Sequence, residues 1–182
     1  MKNTVKTFRR ILKRSIGKKC WHISAGGCTI PQFTLALGKK VRREMPIKNP
    51  SMSHEFCNYE GEISFFIRCW WRLEHGNSVV VSSTDEENKI VHGLNHLTGK
   101  MIENATAIEP AWDLVLYFSN HWTLRTFSNQ TDSADKLLKN WHSRIYDQRI
   151  YAGPGARFEI VTGKGCKSRY LNKPNQLSRN HE

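Results

Sequence analysis

No stretch of about 18 or more apolar residues occurs in this 182-residue chain, so the sequence predicts no membrane-spanning helix. The five cysteines include no Cys-x-x-Cys pair, and their odd number and scattered placement do not fit a secreted disulfide framework. No apolar segment of about 7–15 residues follows the basic N-terminus, which argues against a secretory signal. Together these absences predict a cytoplasmic protein with free cysteines.

Signatures of common reaction chemistry are missing as well. The chain has no Gly-x-Ser-x-Gly motif for an activated serine. Residues 153–155, Gly-Pro-Gly, are followed by neither a helix nor a Lys-Ser/Thr pair, so they do not form a phosphate-binding loop. We therefore assign no catalytic residue and expect no cofactor.

Positive charge is concentrated at the two ends of the chain. Residues 1–19 carry eight Lys and Arg and no acid, and residues 161–182 carry five against one acid. The stretch 20–160 holds 15 residues of each sign, although the whole chain has a net charge of +12. We predict a basic amphipathic extension (1–19), a β-rich globular domain (20–160) and a basic disordered tail (161–182).

Residues 4–16 have the pattern of an amphipathic helix. Apolar residues recur every three or four positions, at Val5, Phe8, Leu12 and Ile16. The opposite side is basic and includes Arg9, Arg10, Lys13 and Arg14. We expect this helix to lie outside the core, either solvated or in contact with nucleic acid, an anionic membrane or a partner groove. Its composition is also typical of a mitochondrial presequence.

Residues 62–74 give the clearest strand pattern. The inward positions alternate strictly and are Ile63, Phe65, Ile67, Cys69, Trp71 and Leu73. The outward positions include Phe66, Arg68, Trp70 and Arg72, which place cations beside aromatic rings. This face is interpreted in three ways. It is covered by the loop 44–60 or by a second layer, with arginine stems packed on Trp70, it binds a protein, or it stacks on single-stranded nucleic acid.

The remaining pattern predicts a single α+β domain of mostly antiparallel sheet, with seven to nine strands and one packed helix at about 85–98. Further strands are predicted at about 32–37, 78–83, 101–108, 112–118, 122–127, 140–146, 149–152 and 157–161. Thr84 and Glu87 have the spacing of a capping box for the helix. Ile90, Leu94 and Leu97 are expected to face the core.

Two groups of residues include the types of side chain that bind metal ions. His92 and His96 share one helix side, and Cys20, His22 and Cys28 form a local cluster. The helix lacks a glutamate after its first histidine, and the cluster lacks a second close pair of ligands. We therefore predict no metal site.

Several segments carry a resemblance to a known family. They are the run from Cys20-Trp-His to Gly38, Glu60-Gly-Glu-Ile-Ser, Cys69-Trp-Trp-Arg-Leu-Glu, Pro110-Ala-Trp-Asp-Leu and Ala152-Gly-Pro-Gly-Ala. Over residues 20–160 the chain resembles a family of small uncharacterised bacterial proteins with a β-rich domain, loosely similar to immunity proteins. The resemblance implies no catalytic residues and leaves both basic ends as additions.

These observations predict a non-catalytic protein-binding module, of the type that acts as an immunity partner of a bacterial toxin, which contacts an unknown protein through Phe66, Arg68, Trp70 and Arg72. The alternative is weak association of the basic tails with nucleic acid or an anionic membrane. A third hypothesis is an uncharacterised enzyme, which needs a pocket that gathers Glu60, Glu62, His22 or Asp113.

Overall fold

The computed structural model describes residues 2–25, 31–50, 52–128, 140–155 and 157–163. These residues form eleven strands and three α-helices, arranged as two antiparallel sheets. The prediction of a mostly antiparallel α+β domain is confirmed. The predicted number of seven to nine strands is too low, because one strand was not predicted and the predicted strand 62–74 is two strands.

The first sheet has six strands, which are β1 (Cys20–Ala25), β2 (Phe33–Arg42), β3 (Tyr59–Ile67), β9 (Trp141–Ile145), β10 (Gln148–Ala152) and β11 (Phe158–Thr162). They are arranged in the order β1-β2-β3-β9-β10-β11. Strand β1 was not predicted, because its sequence Cys-Trp-His-Ile-Ser-Ala lacks a clear two-residue alternation.

The second sheet has five strands, which are β4 (Trp70–His75), β5 (Ser78–Ser82), β6 (Ile102–Ile108), β7 (Asp113–Phe118) and β8 (Trp122–Phe127). They are arranged in the order β5-β4-β8-β7-β6. A tight hairpin turn joins β7 and β8, and Asn120 and His121 both have φ near +60°, as this kind of turn requires.

The chain passes from one sheet to the other at Arg68–Cys69, between β3 and β4. Both backbone N–H groups at this corner donate to the carbonyl of Asn140, at 2.9 Å. The two-residue alternation runs through the corner unchanged, and all six predicted inward side chains are buried in one continuous core. The outward positions therefore form a surface that wraps around the corner.

The N-terminal helix α1 (Lys2–Leu12) packs into this core, so the expectation that it lies outside is wrong. Phe8, Ile11 and Leu12 are buried. The Phe8 ring lies 5.1 Å from Trp112 and 4.9 Å from Phe158, measured between ring centroids. A short 3₁₀ turn (Lys13–Ser15) follows the helix.

The predicted packed helix is α3 (Glu87–Asn95), with Ile90, Leu94 and the following Leu97 buried as expected. The predicted capping box does not form, because the helix begins after Glu86 and the Thr84 hydroxyl lies 3.0 Å from that of Ser82.

The loop 44–60 contains a short helix, α2 (His54–Asn58), and the start of β3. The predicted disordered tail lies outside the described residues from position 164 onward, and β11 extends to Thr162.

Candidate interaction surface

The four predicted contact residues lie in sequence across the corner between the sheets. Phe66 ends the outer face of β3 and pairs in register with Thr34 and His142. Trp70 and Arg72 lie on the outer face of β4, on the other sheet. The four side chains therefore share one outward surface, but no single flat face.

Trp70 is 56% exposed, whereas the adjacent Trp71 is 1% exposed. The expectation that arginines pack on Trp70 is wrong. The Arg68 guanidinium lies over the Phe66 ring, at 5.6 Å, and the Arg72 guanidinium over the Phe127 ring, at 5.2 Å.

The loop 44–60 contacts a different part of the first sheet. The Phe56 ring of α2 stacks on His22 of β1, with 4.4 Å between centroids. Lys40 of β2 forms an ion pair with Glu55 of α2. These contacts place the loop against β1 and β2 rather than over Trp70.

Glu74 holds the side chain of Arg72, the arginine of the candidate surface that lies on the second sheet. Its carboxylate accepts from Arg72 Nε at 2.5 Å and from Arg125 Nε at 3.2 Å. Partial burial alone would raise the pKa of Glu74, but the hydrogen bonds from both arginines outweigh it and lower the pKa. Arg72 is therefore held in one orientation beside Phe127.

His142 is a member of this surface that the sequence pattern did not indicate. Its imidazole lies 5.1 Å from Phe66 and 5.5 Å from Tyr151, between ring centroids. Burial lowers the pKa of His142 to about 4, and the charges of Arg149 and Arg68 act in the same direction. The imidazole is thus neutral at neutral pH. It was missed because β3 and β9 are far apart in sequence.

The three acidic residues of the enzyme hypothesis each contact different partners. Glu60 pairs with Arg43 and Arg144, and Glu62 with Lys18, at 2.5 Å between Oε1 and Nζ. Asp113 lies on the second sheet, where its carboxylate accepts from the backbone N–H of Ser128. Asp113 therefore lies on a different sheet from Glu60 and Glu62, which are two residues apart on the same side of β3. A surface depression lined by residues 46–50, 52, 54, 57 and 58 includes none of the three acids.

Glu60 has a structural role that can be measured. Replacing Glu60 with alanine removes the carboxylate that accepts from the poorly exposed guanidinium groups of Arg43 and Arg144. We expect the free energy of unfolding to fall by about 2 kcal/mol, because hydrogen bonds to charged groups of low exposure are lost. Urea denaturation measures the change. Glu55→Ala is the matched control, since its exposed pair with Lys40 should contribute under about 1 kcal/mol. Equal losses in both variants would contradict this assignment.

The candidate metal ligands do not form a site in the described residues. His92 and His96 are exposed, and His96 stacks on Trp122 at 4.9 Å. Cys20 is buried, which raises the pKa of its thiol to about 12, and Cys28 lies outside the described residues. Within the described ranges, no three His, Cys, Asp or Glu side chains lie close enough to hold a metal ion.

The basic residues of the N-terminal segment form a second exposed surface. Arg9, Arg10, Lys13 and Arg14 are all exposed on the docked helix and its 3₁₀ turn. Arg9 Nη2 lies 2.7 Å from Glu109 Oε1, and Arg14 Nη1 donates to Gln148 at 2.9 Å. The charge of this segment therefore belongs to the folded body.

The chain matches no protein-family model, no curated protein and no solved structure with which it was compared. Among the described helices, none combines the length and the apolar character needed to cross a bilayer.

Proposed function

We propose that this chain is a cytoplasmic, non-catalytic protein-binding module whose contact surface is the corner formed by Phe66, Arg68, Trp70 and Arg72. The observation that carries the proposal is the exposed indole of Trp70. Exposed tryptophan flanked by arginine is the composition that dominates the energetics of protein interfaces.

The fold does not need the Trp70 indole for its core. The neighbouring Trp71 fills the interior, and its indole N–H donates to the Pro31 carbonyl at 2.7 Å. More than half of the large aromatic side chain of Trp70 is instead exposed to water. Its burial by a partner would therefore be favourable. This contrast supports a role in binding rather than in stability.

The charges around Trp70 define the partner's chemistry. Arg68 forms no ion pair with any described residue, whereas Arg72 is already held by Glu74. An acidic side chain opposite Arg68 would gain a charge-assisted hydrogen bond without displacing an existing one. We therefore propose a protein partner with a pocket for an indole ring and a carboxylate beside that pocket.

Trp70→Ala is expected to weaken partner binding by about 30-fold or more, because central aromatic contacts contribute about 2 kcal/mol or more. A photoreactive phenylalanine analogue at position 127, which pairs in register with Trp70 and leaves its indole in place, would first capture the partner in cells. Titration calorimetry with the purified partner would then give the affinity. Val79→Ala, at an equally exposed position of β5, is the control and should change neither affinity nor melting temperature.

Two outcomes would contradict the proposal. The first is an unchanged affinity of Trp70→Ala for the captured protein. The second is a large fall in its melting temperature, which would make Trp70 a structural residue. Arg68→Gln provides a second test of the same surface, because it removes a charge without removing an aromatic ring. A lower affinity of this variant at an unchanged melting temperature would support the binding role.

A more specific form of this proposal is an immunity-type protein, which is supported by the sequence resemblance alone. It predicts that the captured partner arrests growth when expressed by itself and that co-expression of the chain restores growth. Trp70→Ala should then fail to restore it. A partner that is harmless when expressed alone would rule out the immunity role while leaving protein binding intact.

A further inference from the structure

Three exposed cations form a strip along the docked N-terminal helix. Lys6 and Arg10 are four residues apart on one side of α1, and Lys13, at the start of the 3₁₀ turn, follows Arg10 by three residues and continues the same side. That side is opposite the buried side defined by Phe8 and Leu12. None of the three cations pairs with an acid in the described part of the chain.

The flanking arginines hold this strip in place. Arg9 contacts Glu109 next to β6, and Arg14 contacts Gln148 of β10. The Arg14 guanidinium also lies over the Tyr146 ring, at 5.4 Å. The strip therefore has a fixed position on the body, on a helix whose other side is part of the core.

Like charges at these spacings repel one another, which disfavours the helix. No acid lies in its first turn to offset the repulsion. Some exposed cations of the described surface have acidic partners, as in Lys89 with Asp85, at 2.6 Å. The strip instead places three cations without such partners in a row on one packed segment, which makes it suited to an external polyanion.

We infer that the strip of Lys6, Arg10 and Lys13 binds the phosphate backbone of double-stranded nucleic acid. The residues span about 10 Å of helix axis, and a duplex presents about six phosphates over that distance. Binding of this kind is electrostatic and independent of base sequence, because the strip has no aromatic side chain with which to stack on bases.

The packing of α1 favours nucleic acid over a membrane as the ligand of the strip. An amphipathic helix anchors to a bilayer by inserting its apolar side. Here that side is buried against Trp112, Trp141 and Phe158, so it cannot enter lipid without leaving the core. The cations alone remain available, and they suit a phosphate backbone.

The test uses the full chain and a fluorescein-labelled 20-base-pair DNA duplex, with fluorescence anisotropy measured between 50 and 200 mM salt. The triple variant Lys6→Gln, Arg10→Gln, Lys13→Gln is expected to bind at least about tenfold more weakly at 100 mM salt. The slope of log affinity against log salt should fall in magnitude by about 3, one for each lost phosphate contact. Its melting temperature should be unchanged or higher.

The matched control is Lys39→Gln, Arg42→Gln, Lys48→Gln, which removes the same charge from exposed positions elsewhere. This variant should retain most of the affinity and the salt slope. Equal weakening in both variants would show that only net charge matters and would overturn the inference. So would unchanged binding in the strip variant, or no duplex binding by the wild-type chain at 50 mM salt.

Two further arms complete the test. Binding to phosphatidylserine-containing vesicles that is tighter than duplex binding, and equally sensitive to the strip substitutions, would assign the surface to a membrane and overturn the inference. Trp70→Ala should leave duplex binding unchanged, so failure of the proposed protein-binding surface and failure of this strip are distinguishable.

Discussion

Replacement of Phe8 by alanine is expected to lower the free energy of unfolding by about 3–5 kcal/mol, the range for removing a buried phenylalanine ring. The ring is fully buried among Trp112, Trp141 and Phe158, with centroid distances of 4.9–6.0 Å. These bulky neighbours cannot collapse fully into the space left by the ring. A loss of this size is a large fraction of the total stability of a typical domain.

Urea denaturation monitored by tryptophan fluorescence measures this effect. Ile16→Ala, at an exposed position beyond the same helix, is the control and should change the free energy by no more than about 1 kcal/mol. A change below about 1 kcal/mol for Phe8→Ala would mean that the helix contributes little to the core.

Acidification from pH 7 to pH 4 is expected to remove about 3 kcal/mol of stability through His142 alone. The pKa of His142 is lowered from 6.5 to about 4 in the folded protein, mainly by burial and also by Arg149 and Arg68. Between these two values the unfolded chain binds the proton and the folded protein does not. Stability therefore falls as the pH falls through this window, and below pH 4 this group has no further effect.

Other groups titrate in a similar pH range, so the prediction is tested by comparing wild type with a variant that lacks His142. Burial also lowers the pKa of His22, which acts in the same direction. The pKa of Glu74 is lowered too, and its contribution is lost at more acidic pH, as the carboxylate protonates. His142→Gln should have a shallower dependence of unfolding free energy on pH between 6.5 and 4. Parallel curves for wild type and variant would show that His142 is not protected from protonation.

The sequence was sufficient to predict which side chains of residues 62–74 face inward, because two-residue alternation reports burial directly. It could not predict the corner at Arg68–Cys69. The alternation continues through the corner, and the hydrogen bonds that stabilise it come from the carbonyl of Asn140, about 70 residues away. Phe66 and Trp70 consequently lie on different sheets.

The docking of α1 was beyond prediction for a related reason. The spacing of Phe8 and Leu12 shows that one helix side is apolar, but not what covers it. The covering residues come from three distant places, at Trp112, Trp141 and Phe158. The concentration of charge in residues 1–19 made the segment look like an appendage.

This correction changes the electrostatics of the folded protein. Residues 20–160 are neutral, and the eight cations of residues 1–19 are joined to them through the packed helix. The folded protein thus has its excess positive charge in one N-terminal segment, on α1, on the 3₁₀ turn and at residues 18–19, rather than a neutral surface with a separate N-terminal tail. The corner around Trp70 and the strip on α1 are two separate surfaces with different chemistry.

Hydrogen–deuterium exchange of the backbone amides of Arg9 to Leu12 tests the docking of α1 most directly. If the helix is part of the core, these amides exchange only through large-scale unfolding, with protection comparable to that of buried Leu116 in β7. Exchange within seconds, as in an isolated solvated helix of eleven residues, would contradict the docked arrangement.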